Sequence, residues 1–339
     1  MPSPSSATPR VSIITPVWNR ASLVQQAVAS ALAQTFTNFE LIIADDGSTD
    51  DSAARAMSSG DPRVSVLRLE HSGSPAVTRN AALRHARGRY VAFLDSDDQW
   101  LPDKLAQQVR LLDARRDAGL VFGLASYFGE SRERGEVGPK AQRVPESIFD
   151  LLLMQGNFIQ VSTVLVRREI CELLGGFDES EAFRAVEDYD LWLRVTKRYP
   201  ALFIPRVIAR CRRHEGNLTR DQLALVAKVR KVIEVTCQRS SVPEKLRDRA
   251  LAHWYLEELK AVLAGGDPTS EPAARTAVTK ALEIDPGLRP ARWADRMIKL
   301  GLYRPLQEAY RHRQDLTGLR ERLRWPFTSR APAASRSHG

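Results

Sequence analysis

Four short apolar runs, each closed by polar or turn-forming residues and followed by a stretch of helical periodicity, set the tightest limit on how this chain begins to fold. They are Val11-Ser12-Ile13-Ile14-Thr15, Phe39-Glu40-Leu41-Ile42-Ile43, the run over 63–69, and Tyr90-Val91-Ala92-Phe93-Leu94. Their β-branched and aromatic residues suit a pleated surface, and near-continuous apolar runs suit strands covered on both faces. Between and after them the spacing predicts helices over 21–34, 50–58 and 75–86, and one opened by Pro102 that ends near 116. In the first helix Leu23, Ala27, Ser30 and Ala31 share a face, with Val24, Val28 and Leu32 beside it. Gly88 breaks the pattern before the fourth strand. Strands alternating with helices give an α/β fold with a mostly parallel sheet and helices on both faces.

Further along the pattern changes. Residues 129–145 are charged and contain Gly and Pro; they read as a surface loop or as a lid over a binding site. A mixed segment to about 215 includes the helix-like stretch 186–199. Beyond it the chain reads as helices over 219–238, 243–263, 271–283 and 289–300, separated by Pro and Gly. The plan is a disordered lead-in (1–9), one large domain (10–220), a helical region (221–325) and a disordered tail (326–339).

At 339 residues there is room for that large domain and a smaller one. No apolar run approaches the roughly 18 residues needed to span a bilayer, and the first ten residues lack the apolar core of a secretory signal. Cys171, Cys211 and Cys237 are widely spaced and odd in number, so neither a disulfide framework nor a CxxC zinc pair is read from them, and they suit the thiols of a reducing cytoplasm. The net charge of +9 is concentrated towards the C-terminus. Such an excess is either a solvated surface or a contact for anionic lipid at the inner membrane face. No nucleic-acid-binding motif accompanies it, so nucleic acid is not expected as a partner.

Ligands of open parallel sheets bind beyond the carboxyl ends of the strands. The first strand ends in Thr15-Pro16-Val17-Trp18-Asn19, the second in Asp45-Asp46-Gly47-Ser48-Thr49-Asp50, and the fourth in Asp95-Ser96-Asp97-Asp98. Asp45–Asp50 alone also fits a turn with a helix cap. The acidic cluster at 95–98 is harder to account for that way, although it too can cap the next helix. Crowded carboxylates repel unless a cation or hydrogen-bond donors hold them, and a hard divalent ion bound by one or two carboxylates plus phosphates suits this arrangement.

Taken in order, VSIITPVWN, ELIIADDGSTDDS, GSPAVTRNAAL, GRYVAFLDSDDQWLPDKL, GGFDE, EDYDLWLR and RCRRHEGNLT resemble the inverting family 2 glycosyltransferases of GT-A fold, over about residues 10 to 220. The resemblance implies transfer of a hexose or N-acetylhexosamine from a nucleoside-diphosphate sugar, UDP by preference, to an acceptor hydroxyl, with Mg²⁺ or Mn²⁺ as cofactor. It implies that Pro16, Asn19 and Asp46 lie at the nucleotide, with Arg79 near the diphosphate and Asp95 near the ribose. Asp97 would hold the metal, with Asp98 as an alternative and His214 as a further ligand. Asp188 would be the general base and Glu187 its support. The acceptor would be a saccharide or lipid-linked saccharide, in cell-surface polysaccharide or lipopolysaccharide synthesis.

Blander readings stand beside these. Glu187 and Asp188 also suit the first turn of a helix, where acidic side chains favour the macrodipole. His214 also suits an ordinary surface, and Trp100 and Trp192 suit packing better than sugar stacking. Trp18 stands where tyrosine is common and keeps an aromatic shape. Two carboxylates could also serve a glycoside hydrolase, and a nucleotide-sugar-binding scaffold without activity would show the same motifs.

Overall fold

The computed structural model describes residues 8–129, 135–139, 144–145, 147–214, 222–265, 267–301 and 303–313. The expected lead-in up to residue 7 and the expected tail lie outside the described residues, as do 130–134 and 140–143 of the loop read as a lid. The chain divides into two compact units, one through Leu246 and one from Arg247.

The first unit is built on one sheet. Its strands are β1 (Val11–Val17), β2 (Phe39–Asp45), β3 (Val64–Arg68), β4 (Tyr90–Phe93), β5 (Gln99–Trp100), β6 (Leu120–Gly129), β7 (Glu136–Val137), β8 (Leu165–Arg167) and β9 (Ala201–Arg213). Their order is β3-β2-β1-β4-β8-β6-β9-β5, with β7 added on β6. The half that the sequence rhythm describes is parallel: β1 lies between β2 and β4, with Val11 opposite both Phe39 and Tyr90. Beyond β4 the sheet is mixed. β8 runs antiparallel to β4 and β6, whereas β6 and β9 are parallel to each other. β7, inside the segment read as a surface loop, runs antiparallel to β6.

Helices α1 (Ala21–Leu32), α2 (Ser52–Met57) and α4 (Lys104–Ala114) cover one face. Val24, Val28, Ala56, Leu105 and Val109 form one cluster there with Ile13, Leu41, Ile43 and Ala92. Each such Ile, Leu or Val taken fully from water contributes about 1.5–3 kcal/mol before chain entropy is set against it. The opposite face carries α3 (Pro75–Leu83) and α7 (Glu187–Thr196), with Phe93, Phe177 and Trp192 in edge-on contact. Trp192 and Trp100 are both buried, consistent with packing. Gly88 has a steric reason: a Cβ there would sit 2.5 Å from the Ser12 amide nitrogen and 2.7 Å from the Val11 carbonyl carbon. Its amide instead donates to the Ser12 hydroxyl at 2.8 Å.

The smaller helices α5 (Phe149–Gln155) and α6 (Arg168–Leu173), and then α8 (Gln222–Arg239), complete this unit, with α8 packed on α7. In the second unit α9 (Glu244–Gly265), α10 (Glu271–Ile284), α11 (Arg289–Lys299) and α12 (Tyr303–Arg313) share one core. Leu256, Leu259, Val278, Ala281, Ile298 and Leu306 lie within it. Among the described residues no helix is long and apolar enough to cross a membrane.

Candidate active site

The carboxyl ends of β1, β2 and β4 open into a cleft of about 440 Å³. Pro16, Val17, Trp18 and Asp46 form one end of its wall. Gly73, Ser74, Pro75, Thr78 and Arg79 bring the N-terminal part of α3 to it. Asp95–Asp98 and, at the start of α7, Glu187 and Asp188 also line it.

Arg79 joins these two groups. It is 5% exposed and donates to Glu187 Oε1 and to Asp95 Oδ1, each at 2.7 Å. Two carboxylates hold its guanidinium charged despite burial. The motif that supplies Phe177 fixes its position. Asn80, next along α3, accepts from the Phe177 amide at 2.9 Å and donates to the Phe177 carbonyl at 2.8 Å. Arg79 then lies over the Phe177 ring at 5.5 Å. Glu187 Oε2 and Arg79 Nε are buried without a hydrogen-bond partner, so this bridge keeps unused polar capacity.

Asp188 stands beside that bridge. Its Oδ2 accepts from Asn157 at 3.0 Å and its Oδ1 from the Tyr189 amide at 2.7 Å. Burial, and then the charge of Glu187, push its carboxyl up to about 7, with Arg79 and the two hydrogen bonds opposing. A carboxylate with that proton affinity can take a proton from a hydroxyl near neutral pH.

The acidic loop separates its three carboxyls by environment. Asp97 Oδ2 lies 2.8 Å from His214 Nε2. Asp98 is turned inward: Ser162 donates to its Oδ2 at 2.6 Å and the Arg212 amide to its Oδ1 at 2.8 Å. Burial, followed by the charges of Asp97 and Asp95, raises the Asp98 carboxyl well above the usual carboxylate range. Burial also raises Asp95, with Arg79 opposing. Among the described residues no group of three or more His, Cys, Asp and Glu forms a preassembled metal cage.

Ser162 is a brace that the sequence reading missed. Besides donating to Asp98, its hydroxyl accepts from the Asp95 amide at 3.1 Å. The carbonyls of Ser162, Thr163 and Val164 are held in turn by Trp100 Nε1 at 2.7 Å, Gln108 Nε2 at 2.7 Å and Lys104 Nζ at 3.3 Å. Lys104 is completely buried, which lowers its pKa well below the usual lysine value, and its Nζ also donates to Gln108 Oε1 at 2.7 Å. Replacing Ser162 with Ala strands one donor and one acceptor. It is expected to cost about 1–3 kcal/mol in denaturant unfolding; an unchanged midpoint would show the brace to be dispensable.

Asp46 and Asn19 hold loops together. Asp46 accepts from the Ser72 amide and hydroxyl, at 2.9 and 2.8 Å, and from the Gly73 amide at 2.9 Å. His71, 3.1 Å from the Asp46 carboxylate, stacks on the half-exposed Trp18 with ring centroids 4.6 Å apart. Asn19 does not line the cleft. At φ 49° it accepts from the Thr49 amide at 2.8 Å, tying the end of β1 to the loop after β2. Pro16, Asp46, Arg79, Asp95, Asp97, Asp98, Glu187 and Asp188 are thus brought to one cleft, and His214 reaches it through Asp97. Sequence reasoning also missed Gln160, Arg184, Arg212 and Tyr127 on the cleft wall, since no strand-end motif marks them.

Residues 12–175 match the family model described as Glycosyl transferase family 2. The chain is 33% identical over 187 residues to the UDP-Glc:alpha-D-GlcNAc-diphosphoundecaprenol beta-1,3-glucosyltransferase WfgD of Escherichia coli, covering 55% of this chain and 70% of that one. The chain belongs to the family 2 glycosyltransferases. The fold of the transferase is also that of solved GT-A enzymes. S. aureus TarS 1-349 in complex with UDP-GlcNAc aligns with TM-score 0.67 at 19% identity, covering 89% of this chain and 92% of that one. Mannosyltransferase PcManGT of Pyrobaculum calidifontis, in complex with GDP-Man and Mn²⁺, aligns with TM-score 0.57 at 20% identity, covering 93% and 88%.

Proposed function

We propose that this transferase moves a hexose or N-acetylhexosamine from a UDP-sugar to a hydroxyl of a lipid-linked saccharide, with inversion, during cell-surface polysaccharide or lipopolysaccharide synthesis. The observation that carries the reading is Asp188: a cleft carboxyl pushed up to about 7, beside a buried arginine that ties its neighbour Glu187 to the acidic loop. Asp188 accepts the proton of the acceptor hydroxyl as that oxygen bonds to the anomeric carbon, and the bond from that carbon to the diphosphate breaks on the opposite side. One displacement of this kind inverts the anomeric centre. Glu187 holds Arg79, and Arg79 keeps the Asp188 proton affinity from rising further.

The nucleotide is assigned to the Pro16, Trp18 and Asp46 end, with Asp95 at the ribose and Arg79 with the start of α3 towards the diphosphate. Support comes from TarS, a GT-A neighbour solved with UDP-GlcNAc. The donor chemistry of the loop fits a divalent cation. Asp97 and His214 bring one carboxylate and one imidazole together, a pair suited to Mn²⁺ or, through the oxygen, Mg²⁺. Such ions are completed by substrate phosphates, so a three-residue protein cage is not required. Asp98, with both oxygens already bonded, is assigned to bracing. When bound, the ion neutralises charge on the departing diphosphate. WfgD, whose name gives a GlcNAc-diphosphoundecaprenol acceptor, supports a lipid-linked acceptor.

Thermal unfolding with a panel of nucleoside diphosphates, each with and without Mn²⁺, tests the donor site. UDP with Mn²⁺ at about a hundred times its Kd is expected to stabilise the fold by roughly 2.7 kcal/mol, with a smaller shift when the metal is omitted. A folded sample that responds to no nucleotide would remove the donor reading.

A further inference from the structure

Helix α11 presents two faces of opposite character. Ala291, Ala294 and Ile298 are buried in the core of the second unit. At 3.6 residues per turn, Arg289, Arg292, Trp293, Arg296, Lys299 and Leu300 fall within an arc of roughly 120° on the opposite side. All six are exposed. Trp293 is 49% and Leu300 62% exposed, so this stripe combines four cations with two of the larger apolar side chains left in water. Its carboxylate neighbour, Asp295, is paired with Lys299 at 2.8 Å, which leaves the arginines dominating the field of the stripe.

We propose that this face of α11 is a docking surface for an anionic phospholipid bilayer. A solvated helix face gains nothing from an exposed tryptophan and leucine in the middle of its cations, whereas a bilayer interface accommodates both. Tryptophan is favoured at headgroup depth, where its ring meets the acyl boundary and its N–H stays wet. Long basic side chains lie along apolar surface while their charges reach lipid phosphates. A folded acidic protein would complement the charge but would need a matched pocket for the indole; a bilayer needs none. The proposal deepens the lipid-linked acceptor reading, since it would hold the chain where such an acceptor lies, but the face shares no residue with the cleft.

The test is flotation of the full chain with phosphatidylcholine vesicles, with and without phosphatidylglycerol. The wild-type chain is expected to float only with the anionic lipid, and less as salt is raised. Combined Arg289→Gln, Arg292→Gln, Arg296→Gln and Lys299→Gln should weaken that binding roughly tenfold or more. Trp293→Ala with Leu300→Ser should weaken it with the salt dependence retained. Arg275→Gln with Lys280→Gln, on the exposed side of α10, should leave binding unchanged. Each variant's melting shift with UDP and Mn²⁺ is compared with that of the wild type. An unchanged shift, or in its absence an unchanged circular dichroism melt, separates loss of docking from loss of fold or failure of the donor reading. Wild-type chain that stays with the soluble fraction in anionic vesicles overturns the proposal. So do folded α11 variants that float like wild type, or an α10 variant that loses as much binding as they do.

Discussion

Asp188→Asn is expected to lower turnover by roughly 10²–10⁴-fold, the range a positioned proton acceptor contributes, while UDP and Mn²⁺ still raise the melting temperature as in the wild type. The substitution is nearly isosteric, and the amide oxygen can still accept from the Tyr189 amide as Asp188 Oδ1 does. A loss below about tenfold would pass the role of base to another group. The pH dependence sharpens the test. With its carboxyl pushed up to about 7, Asp188 is protonated below that pH and a base above it, so kcat/KM should fall on the acid side of a limb near 7. That limb should vanish in the variant.

Stability carries the opposite sign. The folded-state pKa of Asp188 lies above its value in an unfolded chain, about 3.9. Its contribution is therefore fully present below that value and is lost as pH rises through about 7. Asp188→Asn should accordingly melt higher relative to wild type at pH 8 than at pH 4.

Arg79→Met carries the largest expected cost in stability. Removing one partner of a buried ion pair leaves the others uncompensated, at about 3–5 kcal/mol. Here one cation serves two acids, Glu187 and Asp95, and also opposes the rise in Asp188. Denaturant titration measures the loss, and a change below about 1 kcal/mol would show that the carboxyls neutralise by taking up protons instead. Arg79→Lys should fall between, because an ammonium lacks the planar fork that meets two carboxylates at once. Any residual activity in either variant should have its acid limb moved above that of the wild type if charge is lost, and moved little if it is kept.

The parallel half of the sheet was legible because β1, β2 and β4 are buried on both faces and their apolar runs are almost uninterrupted. The mixed extension was hidden. β9 carries Arg206, Arg210, Arg212 and Arg213 along its length, and a register break between Gly123 and Ala125 of β6 interrupts any alternation. Pro205, which would argue against a central strand, sits where β9 runs ahead of its partner in that break. The helix α12 was missed as well: Pro305 comes near its start, and its mostly polar and basic sequence offers a weak apolar stripe.

The cleft-lining residues at strand ends were readable because parallel topology brings strand ends together whatever the connections do. Ser162 and Arg212 were not, since their contacts with Asp98 span 64 and 114 residues and no local pattern encodes such a meeting. Asn19 shows the limit of the strand-end rule. It lies at the correct edge, yet its side chain is committed to the neighbouring loop.

The three carbonyls held by Trp100, Gln108 and Lys104 bear on how such a cleft could be re-engineered. The loop 95–98 takes its shape from Ser162, and Ser162 takes its position from side chains of β5 and α4 on the far side of the backbone. Grafting the three acidic residues onto another sheet would therefore transfer their charges without their arrangement. The portable unit is the loop together with the segment through Gln108 and the turn at 161–164, and a screen scoring only activity would count Lys104 among the residues of a cleft it does not line.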